Sequence, residues 1–148
     1  MPEDTILNLM VAHHGLLNTL FILFRDQTKE ASPTADSSLS ELSWEIRKHF
    51  FAEENVIFDY LPLQDEKTHQ IIVRLEVEHS QMIDMLRNFI RNTPQISEKD
   101  MDNFYNLMNS HREIEEKELY PKLDKELPVE QKRQIISRIN EIPLTKNI

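Results

Sequence analysis

Four long segments of the chain carry apolar residues at helical spacing, and this periodicity limits what the chain can fold into. Apolar residues that recur every three or four positions predict amphipathic helices, each of which buries one face. Short connections between such helices favour antiparallel neighbours. Pro121 is expected to bend or break the fourth helix. The predicted segments run from about 3 to 30, 38 to 61, 65 to 92 and 97 to 125, and a shorter one from about 128 to 142.

We therefore predict an all-α fold, an up-down-up-down antiparallel four-helix bundle with a short C-terminal fifth helix. The bundle would occupy about residues 3–125 and the fifth helix about residues 128–142, in a single domain that spans 1–148. Gly15 is the only glycine, so phosphate-cradling loops and tight hairpin turns lack their usual residue. The glycine content therefore agrees with a helical fold.

Charge and composition exclude several classes of protein. The chain has no cysteine, which excludes disulfides and thiolate metal ligands. The formal net charge is −9 and the acidic residues are spread along the chain, so nucleic acid is not an expected partner. The apolar stretch from Leu16 to Phe24 is interrupted by polar residues, which argues against a membrane span. We expect a cytoplasmic protein.

The second and fourth predicted helices contain the same short motif, His-x-x-x-Glu-Glu, which begins at His49 and at His111. On an α-helix, residues four positions apart are offset by only about 40° and about 6 Å. His49 and Glu53 therefore face the same way, as do His111 and Glu115, and each pair can bind one metal centre. The spacing alone is weak support, because it arises easily by chance in a glutamate-rich chain.

The positions of these residues on the apolar faces make the pattern more specific. Glu53 and Glu115 lie on lines of core-facing residues, where an unpaired carboxylate is costly. His79 lies within the apolar face of the third helix. On the first helix, steps of about 100° per residue place His13 nearer the centre of the apolar face than His14. The predicted metal ligands are His13, His49, Glu53, His79, His111 and Glu115, with His14 as the alternative on the first helix.

Other polar residues near these positions have plainer explanations. A single histidine on an apolar face is more often a hydrogen-bonded core residue than a ligand. His69 falls off the line of ligands and is predicted to face solvent. Glu54 and Glu116 are expected to be solvated or to lie outside the metal's own ligands. Tyr60 either bonds to a bound ligand or packs in the core.

The same segments resemble the hemerythrin, or HHE cation-binding, family over essentially the first 125 residues, and the resemblance also favours His13. It implies a pair of iron ions joined by an oxo or hydroxo bridge, with Glu53 and Glu115 between them. Nitrogen and oxygen ligands without sulfur also suit manganese or zinc. The stretches that carry the resemblance are Leu9 to Phe21, Arg47 to Glu53, Glu78 to His79 and His111 to Leu123.

The chain differs from the oxygen-carrying hemerythrins in two ways. Leu75 stands where their third helix has another histidine, and Glu115 follows His111 at a shorter spacing than their closing aspartate. If each iron takes about six ligands, about one position on each stays open. We therefore expect binding or sensing of O₂, NO or peroxide. The alternatives are a di-iron enzyme for NO or peroxide reduction or iron-centre repair, and an iron-responsive module that binds a partner protein.

Overall fold

The computed structural model describes residues 5–58, 65–93 and 95–142, and within these ranges all regular structure is helical. Two π-helical turns, Glu53–Ile57 and Glu115–Leu119, follow α2 and α4 directly. The all-α prediction is confirmed, whereas the alternating direction of the helices stays a prediction. The helices are α1 (Ile6–Lys29), α2 (Ala35–Ala52), α3 (Glu66–Asn92), α4 (Glu98–Ile114), α5 (Tyr120–Glu126) and α6 (Val129–Asn140).

Side chains that precede the helices explain where three of them begin. The side-chain oxygens of Thr5, Asp65 and Ser97 accept hydrogen bonds from backbone N–H groups in the first turns of α1, α3 and α4. These residues satisfy donors that a helix leaves free at its start. Asp124 of α5 also accepts hydrogen bonds from the first two N–H groups of α1. The predicted helix ends at residues 3 and 61 lie outside the described residues.

The predicted fourth helix is divided into α4, a π-helical turn and α5. Pro121 lies in the first turn of α5, where the hydrogen bond that proline cannot donate is not needed. The helix therefore continues through this region, and a π-helical turn interrupts the regular α-helical hydrogen bonds just before the proline.

The four long helices contact one another in chain order, and α4 also contacts α1, which closes a ring. Buried apolar side chains form two clusters within it. The first contains Met10 and Tyr120, and the second contains Leu17 and Phe104. In α1 and α3, the residues of the first cluster come before the buried histidine in the sequence. In α2 and α4, they come after the buried histidine. The buried histidines and glutamates therefore lie in a layer between two apolar clusters.

Helix α1 is long and apolar enough to cross a membrane, judged by length and composition alone. This finding differs from the sequence-based expectation. In the structure Met10, Leu17 and Phe21 of α1 pack in the two clusters, and His14 lies within ion-pair distance of two glutamates. One face of α1 therefore packs inside the bundle, and a bundle helix can satisfy the same test of length and composition.

Candidate metal centre

Six buried side chains meet in the layer between the two apolar clusters: His14, His49, Glu53, His79, His111 and Glu115. Their nitrogen and oxygen atoms form two overlapping groups of four, and within each group all these atoms lie within 4.8 Å of one another. The first group contains His14 and His49, and the second contains His79 and His111. Glu53 and Glu115 belong to both groups, so the arrangement can hold two cations that share two carboxylates.

The structure brings together five of the six residues predicted from the sequence, but it places His14 in the centre instead of His13. The side chain of His14 is 6% exposed, and its Nε2 lies 3.1 Å from Oε1 of Glu115. His13 is only half-buried and is not part of either group. The choice of His13 for the first helix is therefore corrected.

The reason for this difference is the width of the apolar face of α1. Apolar residues surround both histidines, and neighbouring residues differ by only about 100° around the helix. The face that packs inward is Met10, His14, Leu17, Phe21 and Phe24. Leu16, which lies three positions after His13, is 47% exposed. His69 is exposed, as the sequence predicts.

Glu115 spans the two groups. Its Oε1 lies 3.1 Å from Nε2 of His14, and its Oε2 lies 3.3 Å from Nε2 of His111. Neither oxygen has a hydrogen-bond partner among the described residues, and the same holds for Nε2 of His14 and both ring nitrogens of His49. Buried polar atoms without partners are costly. Because these ligand atoms lie close together and lack hydrogen-bond partners, the residues fit bound metal ions.

Glu53 has a different environment. Its Oε1 lies 3.1 Å from Nε2 of His79 and 3.4 Å from Nε2 of His49, so one oxygen faces both groups. Its Oε2 accepts a hydrogen bond from the hydroxyl of Tyr120. Burial and the charges of Glu115 and Glu53 hold the pKa of Tyr120 well above its usual value. Tyr120 is therefore a neutral donor that restrains one of the shared carboxylates.

The π-helical turns explain why the sequence did not point to Tyr120. In such a turn the N–H of residue i+5 bonds to the carbonyl of residue i, which stacks the two residues. The N–H of Tyr120 donates to the carbonyl of Glu115, and the N–H of Phe58 to that of Glu53. A regular α-helix would turn position 120 away from Glu115. Tyr60, the tyrosine considered from the sequence, lies outside the described residues.

Three of the four histidines each form a hydrogen bond, through Nδ1, to a carboxylate that lies outside the centre. Such a partner fixes the orientation of the ring, leaves Nε2 free for a metal and strengthens the histidine as a ligand. Two of these carboxylates are the second glutamates of the His-x-x-x-Glu-Glu motifs, which bond to histidines on neighbouring helices. The Nδ1···O distances are 2.7 Å for His14 and Glu116, 2.6 Å for His79 and Glu54, and 2.9 Å for His111 and Glu78.

The histidines differ in how strongly they hold protons. Burial by itself lowers the pKa of His111, but Glu115, Glu53 and Glu78 outweigh it and raise this pKa to about 12. Burial lowers the pKa of His49 to about 3, and neighbouring histidines add to this effect. The surroundings of His111 therefore favour its protonated form, and those of His49 favour the neutral form.

Comparison with known proteins identifies one family. The family model described as "Hemerythrin HHE cation binding domain" matches residues 5–123. The match begins at the residue that caps α1 and ends within α5, so it includes all six residues of the centre and the three outer carboxylates. No curated protein and no solved structure matches the chain.

Proposed function

This chain belongs to the hemerythrin HHE cation-binding domain family, and from that premise we propose that it is a non-haem di-iron protein that binds or senses O₂, NO or peroxide. His14 and His49 would bind one iron, and His79 and His111 the other. Glu53 and Glu115 would lie between the ions. The two overlapping groups of four ligand atoms that share both glutamates are the observation that carries this proposal. Bound iron would supply the redox chemistry.

We also propose the up-down-up-down arrangement of the four long helices. Along the sequence, residues of the first cluster come before those of the second in one long helix and after them in the next. This reversal is expected when neighbouring helices run in opposite directions.

A small cavity beside the histidines supports a small ligand. Its volume is about 20 Å³, and its lining includes His14, His49 and His111 together with apolar side chains such as Ile46 and Met82. A cavity needs about 10–15 Å³ to hold one water molecule, so this one has room for a molecule of about that size. Its apolar walls suit an uncharged ligand.

The proposal is tested by loading metal-free protein with Fe²⁺ without oxygen. We expect about two irons per chain, and a change in the optical spectrum when O₂ or NO is added. Iron content is measured by elemental analysis of the desalted protein. An iron content near zero, or spectra that do not respond to either gas, would contradict the proposal. Repeated reduction of NO or peroxide with a supplied reductant would favour the enzymatic alternative.

Metal binding is expected to strengthen as the pH rises. Because Glu115, Glu53 and Glu78 raise the pKa of His111, a proton and a metal ion compete for this histidine. From about pH 6 to about pH 9, the apparent association constant should rise by about tenfold per pH unit for each displaced proton. The measurement is a Zn²⁺ titration against a chelating indicator, corrected for the indicator's own protonation. A constant affinity would contradict this expectation.

A further inference from the structure

The centre is built from two similar halves, α1 with α2 and α3 with α4. In each half, a helix with one central histidine is followed by a helix with the His-x-x-x-Glu-Glu motif and a π-helical turn. The second glutamate of each motif crosses to the other half, where Glu54 accepts a hydrogen bond from His79 and Glu116 accepts one from His14. Up to this point the two halves are equivalent.

The halves differ after the π-helical turns, where one has Phe58 and the other Tyr120, and they differ again at the residue before the buried histidine of α1 and of α3. In the second half this residue is Glu78, which accepts a hydrogen bond from Nδ1 of His111 at 2.9 Å. In the first half it is His13, whose ring centre lies 5.7 Å from that of His49. His13 has no carboxylate, so it cannot serve His49 as Glu78 serves His111. Nδ1 of His49 is buried and has no hydrogen-bond partner in the part of the chain that the structure describes.

Among the described residues, no carboxylate accepts a hydrogen bond from Nδ1 of His49. A cavity of about 150 Å³ lies beside His49 and is lined by His13, Glu45 and Lys48. The carboxylate of Glu45 is within ion-pair distance of Lys48, at 3.5 Å. Within the described ranges, His49 is therefore the one histidine of the centre without an outer carboxylate, and the cavity beside it leaves room for a glutamate at position 13.

We propose that this difference makes the two metal positions unequal: the position formed by His79 and His111 fills first, and the position formed by His14 and His49 is weaker and exchanges its ion. The inference rests on the proposed metal centre. Loss of an outer hydrogen-bond partner typically costs about 10–100-fold in metal affinity. Glu78 is thus a positioning residue for His111. The chain passes through a one-ion state as free metal rises, which lets the second position respond to metal supply.

The first test locates the first ion by titrating metal-free protein with Co²⁺, followed by visible absorption and competition with a chelator. Repulsion between two cations also separates the binding steps, so two steps alone decide nothing. His79→Ala is expected to weaken the first step by about 10-fold or more, because the first ion must then use the weaker position. His49→Ala is expected to change the first step by less than about threefold and to remove the second.

The second test exchanges the residue on which the inequality depends. His13→Glu supplies the missing carboxylate and is expected to strengthen the second step by about 10-fold or more, without a change in the first. Glu78→Gln keeps the size of the side chain and is expected to weaken the first step by about 10-fold or more. If either residue had only a structural role, its substitution would change both binding steps and the thermal stability together.

Three outcomes separate the possible failures. Equal weakening of the first step by His49→Ala and His79→Ala would overturn the inference while leaving the metal centre intact. An unchanged second step in His13→Glu would also overturn it, and this variant remains informative if an alanine variant does not fold. Absence of any metal uptake by the folded wild-type protein would overturn the proposed function, and the inference with it.

Discussion

Glu115→Gln is expected to reduce the iron content of the loaded protein from about two ions per chain to one or none. Glu115 has one oxygen toward His14 and the other toward His111, so it serves both metal positions. An amide keeps the size of the side chain but loses its charge and turns an N–H₂ group toward one ion. The loss of metal affinity should exceed the loss of about 10–100-fold that follows removal of an outer hydrogen-bond partner.

Glu113→Gln is the matched control for this variant. Glu113 is exposed, lies two positions earlier on α4, and is 56% accessible in its side chain. It should retain the full iron content, because it lies far from the buried face that carries His111 and Glu115. Circular dichroism of both metal-free variants establishes that they are folded. Two irons per chain in a folded Glu115→Gln variant would refute the shared role of Glu115.

His14→Ala and His13→Ala are expected to behave differently although the residues are neighbours. His14 is buried, belongs to one of the two groups and is held by Glu116 from outside. His13 is half-buried and belongs to neither. His14→Ala should therefore lower the metal content to about one ion per chain, whereas His13→Ala should retain about two.

The measurement is elemental analysis of both variants after the same anaerobic loading, with thermal unfolding of the metal-free proteins as the check on folding. The reverse result, with metal lost in His13→Ala and retained in His14→Ala, would mean that α1 is rotated by about 100° from the orientation described. It would restore the ligand that the sequence favours. If both variants lost the same amount of metal, neither histidine could be assigned as the single ligand from α1.

The fold class and most of the centre could be predicted from the sequence because they depend on local spacing. The apolar periodicity predicts the helices, and the all-α fold is confirmed. The spacing of four residues that joins His49 to Glu53 and His111 to Glu115 turns each pair toward one side of its helix. His79 could be found because it lies on a narrow apolar face, and the structure buries it in the second group.

The remaining features depend on contacts between helices, which local spacing does not determine. The rotation of α1 is set by packing against its neighbours, because its apolar face is wide enough to include both His13 and His14. Tyr120 reaches Glu53 only because a π-helical turn shifts the helix by one residue after α4.

The sequence by itself thus determined the helical fold and the residue types of the centre. Only the tertiary structure decided that His14 faces the centre. It also decided which carboxylates accept hydrogen bonds from Nδ1 of His14, His79 and His111. Glu78 bonds to His111 on the next helix, while the equivalent place beside His49 is held by His13. The physical reason is that hydrogen bonds between helices depend on which helices are adjacent and on how each is rotated, and packing of the whole bundle sets both.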